Sequence, residues 1–232
     1  MKKFKNKLFY WLIGRNEIDL YWLKTYLPSK SIFVDVGANN GLYSFAANRL
    51  AARDIYAFEP NFEYHRRLRE IGKKVHVFGV ALSNEIGISR MKVPIISGKM
   101  VSTSGTLRTN YMEEHESSKR LFQVITTPLD SILGTVPVNF IKIDVEGFEL
   151  EVLQGAKGII ERSRPFLLVE IELRHNGEKT HQVFDLLASL NYQVYYLNKN
   201  GKEISFNPKD IGKIQASKNN YINNFFFKPL LY

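Results

Sequence analysis

The sequence contains no cysteine. That absence excludes disulfides, thiolate zinc centres and cysteine nucleophiles together, and it suits a reducing compartment such as the cytoplasm. Nor is there any run near the roughly 20 apolar residues that a membrane-spanning helix needs. Acidic residues are in deficit, with 23 Asp and Glu against 32 Lys and Arg, a formal charge of +9. The excess is spread over residues 2–7, 66–74 and 199–218, without the aromatic-interleaved basic motif of an RNA module. A basic, solvated surface is expected, and nucleic acid is not an expected partner. Apolar residues are plentiful: 44% of 232 positions, enough for one domain with its own core.

Residues 32–41 organise the rest of the chain. Ile32-Phe33-Val34 has the length and composition of a strand buried on both faces. The chain then turns through Asp35-Val36-Gly37-Ala38-Asn39-Asn40-Gly41 into a helical pattern over 42–47. Strand, glycine turn and helix is the layout that rests a nucleotide-like ligand on a helix N-terminus. Its spacing, G-x-N-x-G, is neither the dinucleotide fingerprint G-x-G-x-x-G nor a Walker loop. A second buried strand over 54–58 ends at Glu59, and Pro60 and Asn61 open a helix over 62–71. A carboxylate at that strand end can accept both ribose hydroxyls of an adenosine. Two adenosine-ligand readings follow, a nicotinamide dehydrogenase and a methyltransferase.

Further strands are expected over 75–82, 140–144, 166–172, 192–197 and 221–227, with helices around 127–133, 150–155 and 181–190. Strands alternating with helices indicate parallel βαβ units. The rhythm breaks over 88–127, read as an insertion with strands of its own. Its loop, 97–120, is expected to hang over the ligand edge as a lid. Residues 1–30 read as a helical lead-in and 31–232 as the main domain. Phe4, Leu8, Trp11 and Leu12 recur near helical spacing between lysines, so the lead-in either packs on the domain or touches a membrane surface or anionic partner.

Four strand ends carry acids: Asp35, Glu59, Asp144 and Glu170. In a parallel sheet these ends share the edge where ligands bind. In order along the chain stand DVGANNG at 35–41, FEP at 58–60, VALS at 80–83, TPLD at 127–130, IKIDVEGFE at 141–149 and LVEIE at 168–172. Together they resemble the FkbM family of S-adenosylmethionine-dependent methyltransferases, over about residues 30–230. The resemblance implies a Rossmann-like class I methyltransferase fold: a seven-stranded, mostly parallel sheet with its last strand antiparallel and helices on both faces. It implies S-adenosylmethionine as cofactor, S-adenosylhomocysteine as product, and O-methylation of a hydroxyl on a sugar, glycan or natural product.

Carried onto this sequence, Asp35, Gly37, Ala38, Asn39 and Gly41 would line the methionine end of the cofactor. Glu59 and Pro60 would hold the ribose, and Ala81, Leu82, Ser83 and Asn84 would flank the adenine. The strong acid usual near the adenine amine is missing, which leaves Ser83 or Asn84 to serve. Asp144 would touch cofactor and acceptor, and Glu146 would stand beside it. A hydroxyl acceptor must lose a proton, and Asp144, Glu146, Glu170 and His175 are the candidate bases. His175 reads equally as a solvated loop histidine. No spacing demands a metal. An RNA methyltransferase using the basic surface and a non-catalytic binder of the same cofactor are the alternatives. The acceptor and the oligomeric state have no diagnostic motif.

Overall fold

The computed structural model describes residues 18–97, 99–100, 105–109, 116–216 and 221–230. The amphipathic lead-in at Phe4–Leu12 and most of the loop over 97–120 lie outside them. The chain core is an eight-stranded sheet in the order β11-β10-β12-β9-β8-β1-β2-β3. Here β1 is Ile32–Val36, β2 Asp54–Phe58, β3 Val75–Phe78, β8 Phe140–Ile143 and β9 Phe166–Glu170. At the far side stand β10, Tyr192–Leu197, β11, Glu203–Ser205, and β12, Asn224–Pro229. Strands β3, β2, β1, β8 and β9 are mutually parallel, while β12 runs antiparallel to both β9 and β10. The expected seven strands are therefore joined by an eighth, β11, which returns antiparallel on β10 after the turn at Gly201.

Each face of this sheet has its own core, because alternate residues of a strand point to opposite sides. Val34, Val36, Ile141 and Ile143 pack with α4 (Leu129–Leu133), α5 (Glu149–Gly155), α6 (Lys157–Ser163) and α8 (Lys179–Ser189) through Leu129, Val152, Ile159, Val183 and Leu187. On the opposite face Phe33 and Phe140 pack with α1 (Leu20–Tyr26), α2 (Leu42–Arg49) and α3 (Phe62–Ile71) through Trp22, Ala47 and Leu68. Trp22 is fully buried and stacks on Phe226, with ring centroids 4.1 Å apart. Residues 20–26, read as part of the lead-in, are thus a helix built into the core.

The single strand expected over 75–82 is two. A Cβ at Gly79 would lie 2.7 Å from His65 Cε1, and the chain there leaves the main sheet. Ala81–Leu82, β4, pairs instead with Thr126 and Thr127 in a second, four-stranded sheet. That sheet is completed by β5 (Gly87–Ile96), β6 (Lys99–Met100) and β7 (Glu116–Thr127). Residues 91–94 of β5 are buried, although polar and apolar residues alternate along this strand. Lys92 Nζ is buried against Glu116 Oε2 at 2.7 Å, which permits a charge at that depth. Among the described residues no helix is long and apolar enough to cross a membrane.

Candidate active site

Strand β1 has β2 on one side and β8 on the other, so the connections leave it in opposite directions and open a crevice above its carboxyl end. A cleft of about 640 Å³, continuous with solvent, occupies that place. Its floor is Gly37, at φ +73°, and a Cβ there would lie 1.8 Å from the carbonyl oxygen of Asp144. Glycine is required for β1 and β8 to approach so closely. The turn continues through Asn39 at φ 47° and Gly41 at φ 85°, which begins α2.

Glu59, at the end of β2, is buried and lines the cleft. Its Oε2 accepts the backbone N–H of Asn39 at 2.8 Å, and its Oε1 that of Asn61 at 2.7 Å. A carboxylate has about four acceptor positions, so two remain for a ligand. Burial pushes the Glu59 carboxyl up to about 7, against the pull of those two N–H groups. Asn61 caps α3 by accepting from the backbone N–H of Glu63, while its Nδ2 is buried without a partner among the described residues. Val80, Ala81, Leu82, Met91 and Leu107 make an apolar wall beside it. The arrangement suits a nucleoside: a diol acceptor, one spare donor and a flat apolar slot.

At the other end Asp144, Val145, Glu146 and Phe148 line the cleft. Glu146 is held at φ 55°, an uncommon conformation for a residue with a side chain. His175 Nδ1 lies 2.8 Å from Glu146 Oε2, and His175 is 3% exposed in α7 (Leu173–Asn176), not a solvated loop residue. Burial raises Glu146 above its ordinary range, with the hydrogen bond from His175 pulling it back. Burial would lower His175, but the bond and charge of Glu146 win and leave it raised. Behind them Glu170 Oε1 accepts from Asn223 at 2.6 Å, and burial, then the charge of Asp144, hold its carboxyl well above normal.

Of the remaining expected residues Pro60 lines the cleft, while Asp35, Ala38, Ser83 and Asn84 stand outside its lining. Asp35 is buried, and its Oδ2 accepts from Ser44 Oγ at 2.5 Å; burial raises it to about 6. Ala38 donates its N–H to Phe58 O, and Pro60 borders the cleft beside Glu59. Ser83 Oγ donates to Asn84 Oδ1, and Asn84 Nδ2 to Gln154, behind the wall made by Ala81 and Leu82. Other contributors were not named as site residues in the sequence reading, Asn61 and Met91 of the cleft lining among them. Lys142, buried in β8, donates to Asn224 Oδ1 at 3.0 Å and sits 4.0 Å from Asp144 and 3.9 Å from Glu170. Its only sequence signal was a lysine inside an apolar strand. Gly105 and Leu107 also reach the cleft; they belong to the loop over 97–120 that was expected at the ligand edge, though neither was singled out. Among the described residues no group of three or more His, Asp and Glu is placed to hold a metal ion.

This geometry can be set beside known proteins. Residues 35–194 match the profile described as the Methyltransferase FkbM domain. The chain is 30% identical over 171 residues to the hexuronic acid methyltransferase AglP of Haloferax volcanii, a match covering 71% of this chain and 65% of that protein. An FkbM methyltransferase from Methylobacillus flagellatus shares the fold with a TM-score of 0.53 at 16% identity, over 86% of this chain and 44% of that one. A Streptococcus mutans protein solved in complex with SAH superposes with a TM-score of 0.50 at 14% identity, over 92% and 97% of the two chains. The match therefore spans under two thirds of the length of AglP and of the Methylobacillus protein. With more than half of its length in the family profile, this chain belongs to the FkbM methyltransferase family.

Proposed function

We propose that this chain transfers a methyl group from S-adenosylmethionine to a hydroxyl of a sugar or similar small acceptor. The observation that carries the reading is the buried Glu59 carboxylate, which lines the cleft with two acceptor positions filled by backbone N–H groups and two left for a ligand. The residues fit the cofactor: Asn61 Nδ2 offers a buried donor, and the acids Glu59, Asp144 and Glu146 line a cleft suited to a cation. When bound, the cofactor supplies a methyl group on a positively charged sulfur.

The chain's own part is positioning and proton handling. Gly37 and Asn39 would border the methionine portion, Glu59 the ribose, and Ala81 and Leu82 the adenine. Glu146 faces the acceptor end and takes the hydroxyl proton. His175 holds its carboxylate from behind, so Glu146 is the base and His175 a positioning residue. General base catalysis of this kind is worth roughly a factor of a hundred to ten thousand. The name of the Haloferax relative supports a sugar acceptor. Calorimetry with S-adenosylhomocysteine tests the cofactor half: binding is expected, weakened roughly tenfold or more by Glu59→Ala, since a hydrogen bond to a charged group is worth about 1.5–3 kcal/mol. No heat of binding at millimolar ligand would overturn it.

A further inference from the structure

Residues 105–109 form a strap that joins the second sheet to the loop after β8. Thr106 exchanges both backbone hydrogen bonds with Lys92, at 2.8 and 2.9 Å. Its hydroxyl donates to the Glu146 carbonyl at 2.7 Å and accepts the N–H of Arg108 at 3.0 Å. Arg108 then donates its Nε to the Gly147 carbonyl at 2.6 Å. A Cβ at Gly147 would meet Arg108 Cδ at 3.0 Å and the His175 carbonyl at 2.8 Å, so this crossing leaves no slack. The arm of Arg108 is clamped, and its two terminal nitrogens have no partner among the described residues.

Among the described residues, three other cations at this edge of the sheet are engaged. Lys142 is held by Asn224, Arg174 by Glu172 and Lys179 by Glu151. The cleft wall nearest this crossing carries Asp144 and Glu146, which would repel an anionic acceptor. A guanidinium fixed by its Nε presents the remaining donors as a fork matched to two oxygens of a carboxylate or phosphate. Arg108 is the one cation on the strap; it stands at the rim of the cleft, outside its lining, bonded to Gly147, the residue that follows the proposed base.

We propose that Arg108 anchors an anionic group of the methyl acceptor, a carboxylate or a phosphate, and so selects acidic sugars over neutral ones. The inference rests on the reading of this cleft as the acceptor site. Its test is titration of the protein saturated with S-adenosylhomocysteine, using glucuronic acid, a glucose phosphate and glucose as probes. The acids are expected to bind roughly tenfold or more tighter than glucose, the size of one charge-assisted hydrogen bond. Arg108→Gln should erase that difference while keeping affinity for S-adenosylhomocysteine, and Arg108→Lys should restore part of it. Whichever acid binds tighter identifies the anion as carboxylate or phosphate. Equal binding of glucose and the acids, a preference that survives Arg108→Gln, or no binding of any probe overturns the proposal. Acids bound through Arg108 but never methylated would instead overturn the sugar-methylation reading and leave the anion anchor standing.

Discussion

His175 Nδ1, in the short helix α7 after β9, and Glu146 Oε2, in the loop after β8, are 2.8 Å apart. The contact divides the labour, because Glu146 lines the cleft and His175 does not. Glu146→Gln is expected to lower kcat by roughly a hundredfold to ten-thousandfold, with little change in cofactor affinity. His175→Asn should cost less, and it carries a sign. The imidazole lowers the Glu146 carboxyl from the value burial alone would impose. Its loss should move the acid limb of the kcat/KM profile to higher pH. A limb that stays in place would remove His175 from the proton pathway.

Glu59 makes cofactor affinity depend on pH. Its carboxyl is raised to about 7 by burial, and ribose hydroxyls donate only to the ionised form well. Affinity for S-adenosylhomocysteine should therefore fall as pH drops below about 7, approaching tenfold per unit. Stability of the free protein should run the other way. Glu59 rises from 4.5 to about 7 and Asp35 from 3.8 to about 6, so both bind protons more tightly folded than unfolded. Stability then declines as pH rises through that window and levels off above it, by on the order of 3 kcal/mol for each group. Urea unfolding between pH 4 and pH 8, with and without ligand, checks both signs.

Gly37→Ala should be severe. The new Cβ would stand 1.8 Å from the Asp144 carbonyl, at a φ of +73° that disfavours a side chain. Relief requires β1 and β8 to separate at the cleft floor. Loss of measurable S-adenosylhomocysteine binding together with a lower Tm is expected in calorimetry. Retained binding would mean that the floor is softer than its packing indicates.

Trp22→Ala tests whether the helix at 20–26 belongs to the core. Trp22 is fully buried and stacked on Phe226, so its truncation should cost about 3–5 kcal/mol in equilibrium unfolding. A loss under about 1 kcal/mol would return this helix to the status of a loose lead-in.

The cleft was legible in the sequence wherever one residue's chemistry met a strand end. Gly37 and Asn39 announced a tight turn, and Glu59 followed from its place after the second apolar run. Leu20–Tyr26 was hidden because its burial depends on Phe226, at the other end of the chain. The departure of Ala81–Leu82 from the main sheet was hidden as well: VHVFGVAL reads as one apolar run, and only the approach of His65 to Gly79 breaks it. Of the strap, only its place in the loop over 97–120 was expected, and its individual residues had no local signature. Thr106 and Arg108 gain their meaning from Glu146 and Gly147, which a strand pairing and a crossover bring beside them. Lys92 followed an alternating pattern whose outer face a buried glutamate covers.

The most direct test of the central claim is methyl transfer itself, read by mass spectrometry on glucuronic acid, a glucose phosphate and glucose with labelled S-adenosylmethionine. One labelled methyl group should appear on a ring hydroxyl oxygen, and Glu146→Gln should lose most of the product while still binding S-adenosylhomocysteine. A protein that binds the cofactor yet labels none of these hydroxyls, or labels them equally well without Glu146, would contradict the account.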